Sequence, residues 1–125
     1  MKKLFSLLIL VAMSSCSSVL ECALNDPPYW EDRTLPDGMR FQSYNQSVFL
    51  YRASDFQIEN FRLSGDLPQG LDYNFYGDDV VISGTPTQNG TFRFKLKVKV
   101  QYVDADGNSE SCSSTIEKNY SIKIN

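Results

Sequence analysis

The sequence predicts an all-β protein, an antiparallel β-sandwich of about seven strands. Three observations lead to this prediction. The clearest apolar stretches alternate apolar with polar residues, which is the period of a half-buried strand. Turn residues recur between these stretches. No part of the chain after its first residues has a helical period, and 125 residues with 42% hydrophobic content are enough for a single core.

Two long strands and five short ones are expected. The clearest alternation covers residues 91–102, where apolar residues such as Leu96 and Val98 alternate with cations, and residues 115–124 repeat the pattern. The short strands are expected at residues 39–43, 47–52, 58–64, 71–76 and 80–83. Gly77-Asp78-Asp79 is expected to turn the chain between the last two short strands, and Asp106-Gly107 between the two long ones.

The first residues have the composition of a secretory signal. Met1-Lys2-Lys3 is a positive start, and residues 4–13 form an apolar run about half as long as a membrane-spanning helix needs. Met13-Ser14-Ser15-Cys16 resembles the lipobox of bacterial lipoproteins, which implies cleavage before Cys16 and acylation of that cysteine. An ordinary signal cut after a small residue would instead leave Cys16 as a spare thiol.

The cysteine count favours the lipoprotein interpretation. The chain has three cysteines, and acylation of Cys16 accounts for the odd one. Cys22 and Cys112 then remain for one disulfide in an oxidising compartment. That bond would close a loop of about 90 residues and stabilise the fold by roughly 4–5 kcal/mol. A zinc site competes with this interpretation, but two cysteines without any histidine do not supply four ligands.

The expected organisation is a signal peptide over residues 1–15, a lipidated tether over 16–37 and a sandwich domain over 38–125. The tether is rich in Pro, Ser and Asn and has no apolar period. Within it, Tyr29-Trp30 is expected to pin the tether against the domain. Ser17 follows Cys16 in place of the Asp that resembles an inner-membrane retention signal of enteric bacteria. The bacterial cell envelope is therefore the expected location, with the outer membrane favoured.

A second resemblance covers residues 38–103. Leu67-Pro68-Gln69-Gly70-Leu71, Ile82-Ser83-Gly84-Thr85-Pro86-Thr87 and Asn89-Gly90-Thr91-Phe92 resemble the LPxGL…GTPT…GTY pattern of immunoglobulin-like domains in bacterial surface proteins, which are related to cadherin-like and dystroglycan-type modules. The resemblance implies an immunoglobulin-like sandwich. Pro68 suits the second position of a turn and Gly70 the fourth. These are folding residues, so the motif implies a fold and no chemistry.

The composition of the chain excludes or disfavours several classes of function. Without histidine, no mechanism can use imidazole as base or metal ligand. Removing residues 1–15 takes away two of the 12 basic residues and none of the 15 acidic ones, and a net negative chain argues against a nucleic-acid partner. Asp104, Asp106 and Glu110 are reminiscent of a calcium loop but lack EF-hand spacing. A solvated hairpin turn explains them, as it explains Asp78-Asp79, so neither a metal nor a cofactor is expected.

One strand carries a row of cations. Arg93, Lys95, Lys97 and Lys99 are two residues apart and therefore emerge on one sheet face. A solvated face, balanced by acids of adjacent strands such as Glu117, is the favoured interpretation, and it also blocks edge-to-edge aggregation. The alternative is a docking face for an anionic partner: lipid A phosphates, an acidic glycan or an acidic protein.

These features predict a non-catalytic lipoprotein, held at the envelope membrane by its lipid anchor. Its domain would act as an adhesive or accessory binding module for a protein or glycan partner. No catalytic residues are assigned, because the serines have no histidine base. One alternative is a periplasmic inhibitor or chaperone-like binder of another protein. Another is a glycan-acting enzyme that uses two carboxylates.

Overall fold

The computed structural model describes residues 26–103 and 109–125, without the side chains of 103 and 109–112. Seven strands occur in these ranges, and no described residue is helical. The strands are β1 (Tyr29–Trp30), β2 (Tyr44–Tyr51), β3 (Phe56–Gly65), β4 (Leu71–Phe75), β5 (Asp79–Gly84), β6 (Gly90–Val103) and β7 (Ser109–Ile124). In the part of the chain described, no helix is long and apolar enough to cross a membrane.

The strands form two antiparallel sheets. One sheet has the order β1-β2-β5-β4 and the other the order β3-β6-β7. Every strand pair is antiparallel, and Gly38 adds a single parallel bridge to Ile124. This architecture confirms the predicted all-β, antiparallel β-sandwich.

The core lies between the two sheets and follows from the alternation in the sequence. Leu96, Val98 and Val100 of β6 are fully buried, and Val80 and Ile82 of β5 are fully buried too. Burying one aliphatic side chain of this size contributes about 1.5–3 kcal/mol. The residues between them on β6 must then point out of the sandwich, because successive side chains of a strand alternate between faces.

The predicted strand at residues 39–43 is wrong. Arg40 and Phe41 lie in a turn, which the Gln42 amide closes on the Met39 carbonyl oxygen at 3.2 Å. Phe41 has a positive φ of 66°, a conformation that does not continue a strand. Met39 and Phe41 are both more than half exposed. The alternation at residues 39–43 therefore resembles that of a strand, but none of these residues belongs to a strand of either sheet.

The described part of the expected tether, residues 26–37, belongs to the sandwich. β1 pairs with β2, and Trp30 is buried in the core. This agrees with the expectation that Tyr29-Trp30 fastens this segment to the domain. Beyond β1, the Tyr120 hydroxyl donates to the Glu31 carbonyl oxygen at 2.6 Å, and the Tyr44 hydroxyl donates to that of Pro36 at 2.9 Å. The folded domain thus begins before Gly38, which corrects the predicted boundary.

A backbone hydrogen bond joins the glycine-containing motif at residues 67–71 to the one at residues 82–87. The Leu71 amide donates to the Pro68 carbonyl oxygen at 3.0 Å, so the turn starts one residue later than expected. Gly70 is then its third residue, with the positive φ of 97° that a type II turn needs there. The Thr85 amide donates to the Gly70 carbonyl oxygen at 3.2 Å. Leu67 and Leu71 pack against the core on either side of this turn.

Candidate functional site

Several predicted site residues lie outside the part of the structure that is described. Cys16 and Cys22 precede it, and Asp104 and Asp106 fall in the gap before β7. Glu110 and Cys112 are in β7, but their side chains are not described. The acylation of Cys16, the Cys22–Cys112 disulfide and the calcium alternative therefore remain predictions.

The structure places the four predicted cations of β6 on the outer face of the three-stranded sheet. Their neighbours on β6 point into the core, from Phe94 at 3% exposure to Val100 at none. β6 is the middle strand of this sheet, so the row is flanked by β3 on one side and β7 on the other. With about 3.3 Å of rise per residue, the row from Arg93 to Lys99 is about 20 Å long.

The flanking strands add two more cations that the sequence alone did not associate with the row. Arg62 of β3 is directly opposite Lys97, and Lys123 of β7 is opposite Thr91. Residues directly opposite in an antiparallel pair share a face. We call the outer face that carries these cations the basic face, and its cations are Arg62, Arg93, Lys95, Lys97, Lys99 and Lys123.

Two acidic side chains on the same face neutralise only part of this charge. Glu117 Oε1 lies 3.8 Å from Lys95 Nζ, and Glu59 Oε2 lies 3.3 Å from Lys99 Nζ. Both pairs are substantially exposed to solvent, and exposed pairs contribute about 0–1 kcal/mol.

The remaining four cations of the basic face, Arg62, Arg93, Lys97 and Lys123, form no ion pair among the described residues. The pair formed by Arg62 and Lys97 is unfavourable, because like charges directly opposite on a sheet repel each other. Glu117 is directly opposite Lys97 on β7, although its ion pair is with Lys95. A solvated face balanced by neighbouring acids therefore accounts for Lys95 and Lys99 and in part for Lys97, but not for Arg62, Arg93 or Lys123.

Among the side chains that the structure describes, none of those on the basic face is apolar. Its outward-facing residues are Gln57, Glu59, Asn60, Arg62 and Ser64 on β3, Thr91, Arg93, Lys95, Lys97, Lys99 and Gln101 on β6, and Ser113, Thr115, Glu117, Asn119, Ser121 and Lys123 on β7. Amides and hydroxyls fill the space between the cations. The surface is therefore rich in hydrogen-bonding groups as well as in positive charge.

Two concave regions involve residues of this sheet. A groove of about 360 Å³ is lined by Asn60, Arg62, Lys97, Lys99 and Thr115. A larger cavity of about 510 Å³ is lined by residues of all three strands, Arg93 and Lys95 among them, and by Arg33 of the segment between β1 and β2. In that segment the Arg33 guanidinium donates to the Ser47 carbonyl oxygen and to Gln46 Oε1.

The opposite sheet presents an aromatic patch, which the sequence analysis did not predict. Tyr29, Phe49 and Tyr51 are between 43% and 52% exposed. The Tyr51 ring lies 5.4 Å from that of Tyr29 and 6.5 Å from that of Phe49, centroid to centroid. This patch lies on a different sheet from the basic face, so the two surfaces are separate.

The perturbed ionisable groups belong to the fold. Burial raises the pKa of Tyr120 and of Tyr44, and the nearby Glu31 carboxylate raises that of Tyr120 further. The hydrogen bond and charge of Lys118 lower the pKa of Asp32 at the surface. Among the side chains of residues 26–102 and 113–125, no cluster of three or more Cys, Asp or Glu could hold a metal ion.

Comparison with solved structures gives several partial likenesses, among them those to an adhesin and to a hydrolase. A point mutant of the SrpA adhesin from Streptococcus sanguinis is 19% identical with a TM-score of 0.46, over 81% of this chain and 60% of the adhesin chain. A variant of the endo-fucoidan hydrolase MfFcnA4, from glycoside hydrolase family 107, is 18% identical with a TM-score of 0.47, over 82% of this chain and 14% of the hydrolase. No protein-family model and no curated protein matches the chain.

Proposed function

We propose that the protein is a non-catalytic binding module of the bacterial cell envelope, and that its basic face binds an acidic polysaccharide. In this proposal, acylated Cys16 anchors the chain to the membrane and the sandwich presents the basic face to the polymer. The anchor rests on the resemblance of Met13-Ser14-Ser15-Cys16 to a lipobox.

The observation that carries the proposal is the unbalanced charge of the basic face. It has six cations and two acids, although the whole chain has a net charge of −3. Four of the six cations form no ion pair within the described residues. A positive surface on an otherwise acidic protein attracts anionic partners and keeps other acidic proteins away from the rest of the molecule.

The chemistry of the face favours a polysaccharide over a protein or a membrane. Stable protein interfaces have an apolar or aromatic centre, and membrane-inserting surfaces bury apolar side chains among the lipids. The outward-facing residues of β3, β6 and β7 that the structure describes include neither. Cations surrounded by amides and hydroxyls suit a hydrated polymer that carries both negative groups and hydroxyls.

Binding to an immobilised acidic polysaccharide tests the proposal. Lys95→Glu combined with Lys97→Glu replaces two attractions by two repulsions, so we expect binding to polygalacturonate or dextran sulfate to weaken about tenfold or more. The loss should shrink as salt rises, because salt screens exposed charges. The matched control is Arg40→Glu combined with Arg52→Glu, which makes the same change of charge away from the basic face and should affect binding much less.

The competing partners give different results in the same assay. Binding that is unaffected by the double reversal and by salt would contradict a role for the basic face. If vesicles with anionic headgroups bind the wild type and both polysaccharides do not, the partner is a membrane surface and the polysaccharide proposal is wrong. At physiological salt, where exposed charges are screened and contribute little to stability, the melting temperatures of all these variants should stay close to that of the wild type.

A further inference from the structure

The groove in the basic face has a defined arrangement of donors. Arg62 projects from β3 and Lys97 from β6, directly opposite each other. In the next outward-facing row, Lys99 is flanked by Asn60 of β3 and Thr115 of β7. The resulting groove of about 360 Å³ is lined by three cations, one amide and one hydroxyl, and no carboxylate lines it.

The groove places two like charges directly opposite each other. Opposite residues of an antiparallel pair have their Cβ atoms about 4.5–5.5 Å apart, so Arg62 and Lys97 repel each other. Two acids lie beside the groove without lining it: Glu59, whose carboxylate is 3.3 Å from Lys99 Nζ, and Glu117, which is opposite Lys97 on β7 and pairs with Lys95. A bound anion between Arg62 and Lys97 would replace this repulsion by two attractions.

The geometry favours a tetrahedral anion over a planar one. A carboxylate has two oxygens in one plane, which the fork of a single guanidinium satisfies. A sulfate or phosphate ester has three terminal oxygens that point in different directions. Here three cations come from two strands, and the Asn60 amide and Thr115 hydroxyl add donors from further sides.

We propose that this groove is a subsite for a tetrahedral oxyanion ester, a sulfate or phosphate group carried by the polysaccharide. This inference rests on the proposed function of the basic face and specifies its ligand. The rest of the basic face attracts any anionic polymer by its charge. The groove, in contrast, selects among these polymers by the shape of their anionic groups.

One backbone polymer in four forms tests the subsite. The probes are dextran, dextran sulfate, dextran phosphate and carboxymethyl dextran, the last three with matched degrees of substitution. We expect the wild type to bind at least one of the two tetrahedral esters about tenfold more tightly than carboxymethyl dextran. The stronger of these two esters identifies the natural group. Arg62→Gln should remove the preference, whereas Lys123→Gln, on the same face outside the groove, should weaken all three charged probes equally.

The stability of Arg62→Gln separates this role from a structural one. Removing the repulsion with Lys97 should raise the melting temperature at low salt, whereas a structural role of Arg62 would lower it. At equal ionic strength, inorganic sulfate or phosphate should raise the melting temperature of the wild type more than acetate does, and should do so less for Arg62→Gln.

The outcomes distinguish the two proposals. Equal binding of all three charged dextrans, together with sensitivity to Lys95→Glu and Lys97→Glu, would overturn the subsite and leave the basic face as a general anionic surface. Absence of binding to every charged dextran and to polygalacturonate would overturn the proposed function itself. A lower melting temperature for Arg62→Gln would also count against the subsite.

Discussion

Gly70 and Gly84 allow two backbone segments to meet without side chains between them. A Cβ atom at Gly84 would overlap the Gly70 carbonyl oxygen, and one at Gly70 would overlap that of Thr85. Both glycines have positive φ angles, 97° and 139°. The two turns therefore depend on each other, because each motif needs the glycine of the other.

Gly84→Ala should destabilise the sandwich by about 3 kcal/mol or more, through backbone strain and the overlap with Gly70. Gly77→Ala is the matched control. Gly77 also has a positive φ, 95°, but a Cβ there would meet no atom within 4 Å. It should cost only the conformational penalty of about 1–2 kcal/mol. Urea unfolding measures both, and equal losses would show that the overlap is relieved at little cost.

Tyr120 makes the stability of the fold sensitive to alkaline pH. Its hydroxyl donates to the Glu31 carbonyl oxygen, and burial is the main reason why its pKa lies above the ordinary value of 10.0. As pH rises past about 10, the unfolded chain loses this proton before the folded one does. The unfolded state is then favoured, so the free energy of unfolding should fall.

Tyr120→Phe should remove this part of the pH dependence. At neutral pH the variant should be less stable by about 1 kcal/mol, because it lacks the hydrogen bond to Glu31. That difference should shrink above pH 10. Tyr44, whose pKa burial also raises, keeps its contribution in both proteins. Tyr76→Phe, at a position 67% exposed, serves as the control. If the free energy of unfolding falls equally for the wild type and for Tyr120→Phe between pH 8 and pH 11, the assignment to Tyr120 is contradicted.

At the scale of elements, β1 connects the two sheets although it has only two residues. Trp30 pairs with Leu50 of β2 in one sheet, and its indole Nε1 donates to the Ile116 carbonyl oxygen of the other at 3.2 Å. Its ring meets that of Phe61 edge to face, 6.1 Å between centroids. The contacts of the Trp30 side chain thus attach the start of the folded domain to both sheets.

Trp30→Ala should cost about 3–5 kcal/mol, the range for removing a large buried aromatic side chain. Tyr29→Ala, in the same strand but 52% exposed, should cost much less. Urea unfolding followed by far-ultraviolet circular dichroism compares the two. Similar small losses for both would mean that the strand is dispensable and that residues before Gly38 act as a tether after all.

β6 combines the two roles of this sheet in one strand. Its inward side chains form much of the core, and its outward side chains form the middle of the basic face. As the central strand it has both edges paired, so its cations are not needed to protect an edge from aggregation. This position removes edge protection as an explanation of the row and leaves solvation and binding, which the Lys95→Glu and Lys97→Glu experiment distinguishes.

For the whole molecule, the membrane anchor is the prediction with the widest consequence. Cys16→Ala should move the protein from the membrane fraction to the soluble fraction, because several acyl chains together hold firmly at about 0.8 kcal/mol per buried methylene. Cys22→Ala, which changes a cysteine not expected to carry lipid, should leave it with the membranes. If Cys16→Ala still sediments with membranes after a high-salt wash, the anchor is not at Cys16.

The sequence by itself determined the fold class, because the alternation in residues 91–102 and 115–124 depends only on which side chains avoid water. It also placed the four cations of β6 on one face. It could not place Arg62 opposite Lys97, since register between strands distant in sequence is set by packing of the core. Nor could it separate the strand at Tyr29–Trp30 from the false one at residues 39–43. Both are short apolar patterns, and only the sheet that accepts hydrogen bonds and buries Trp30 decides between them.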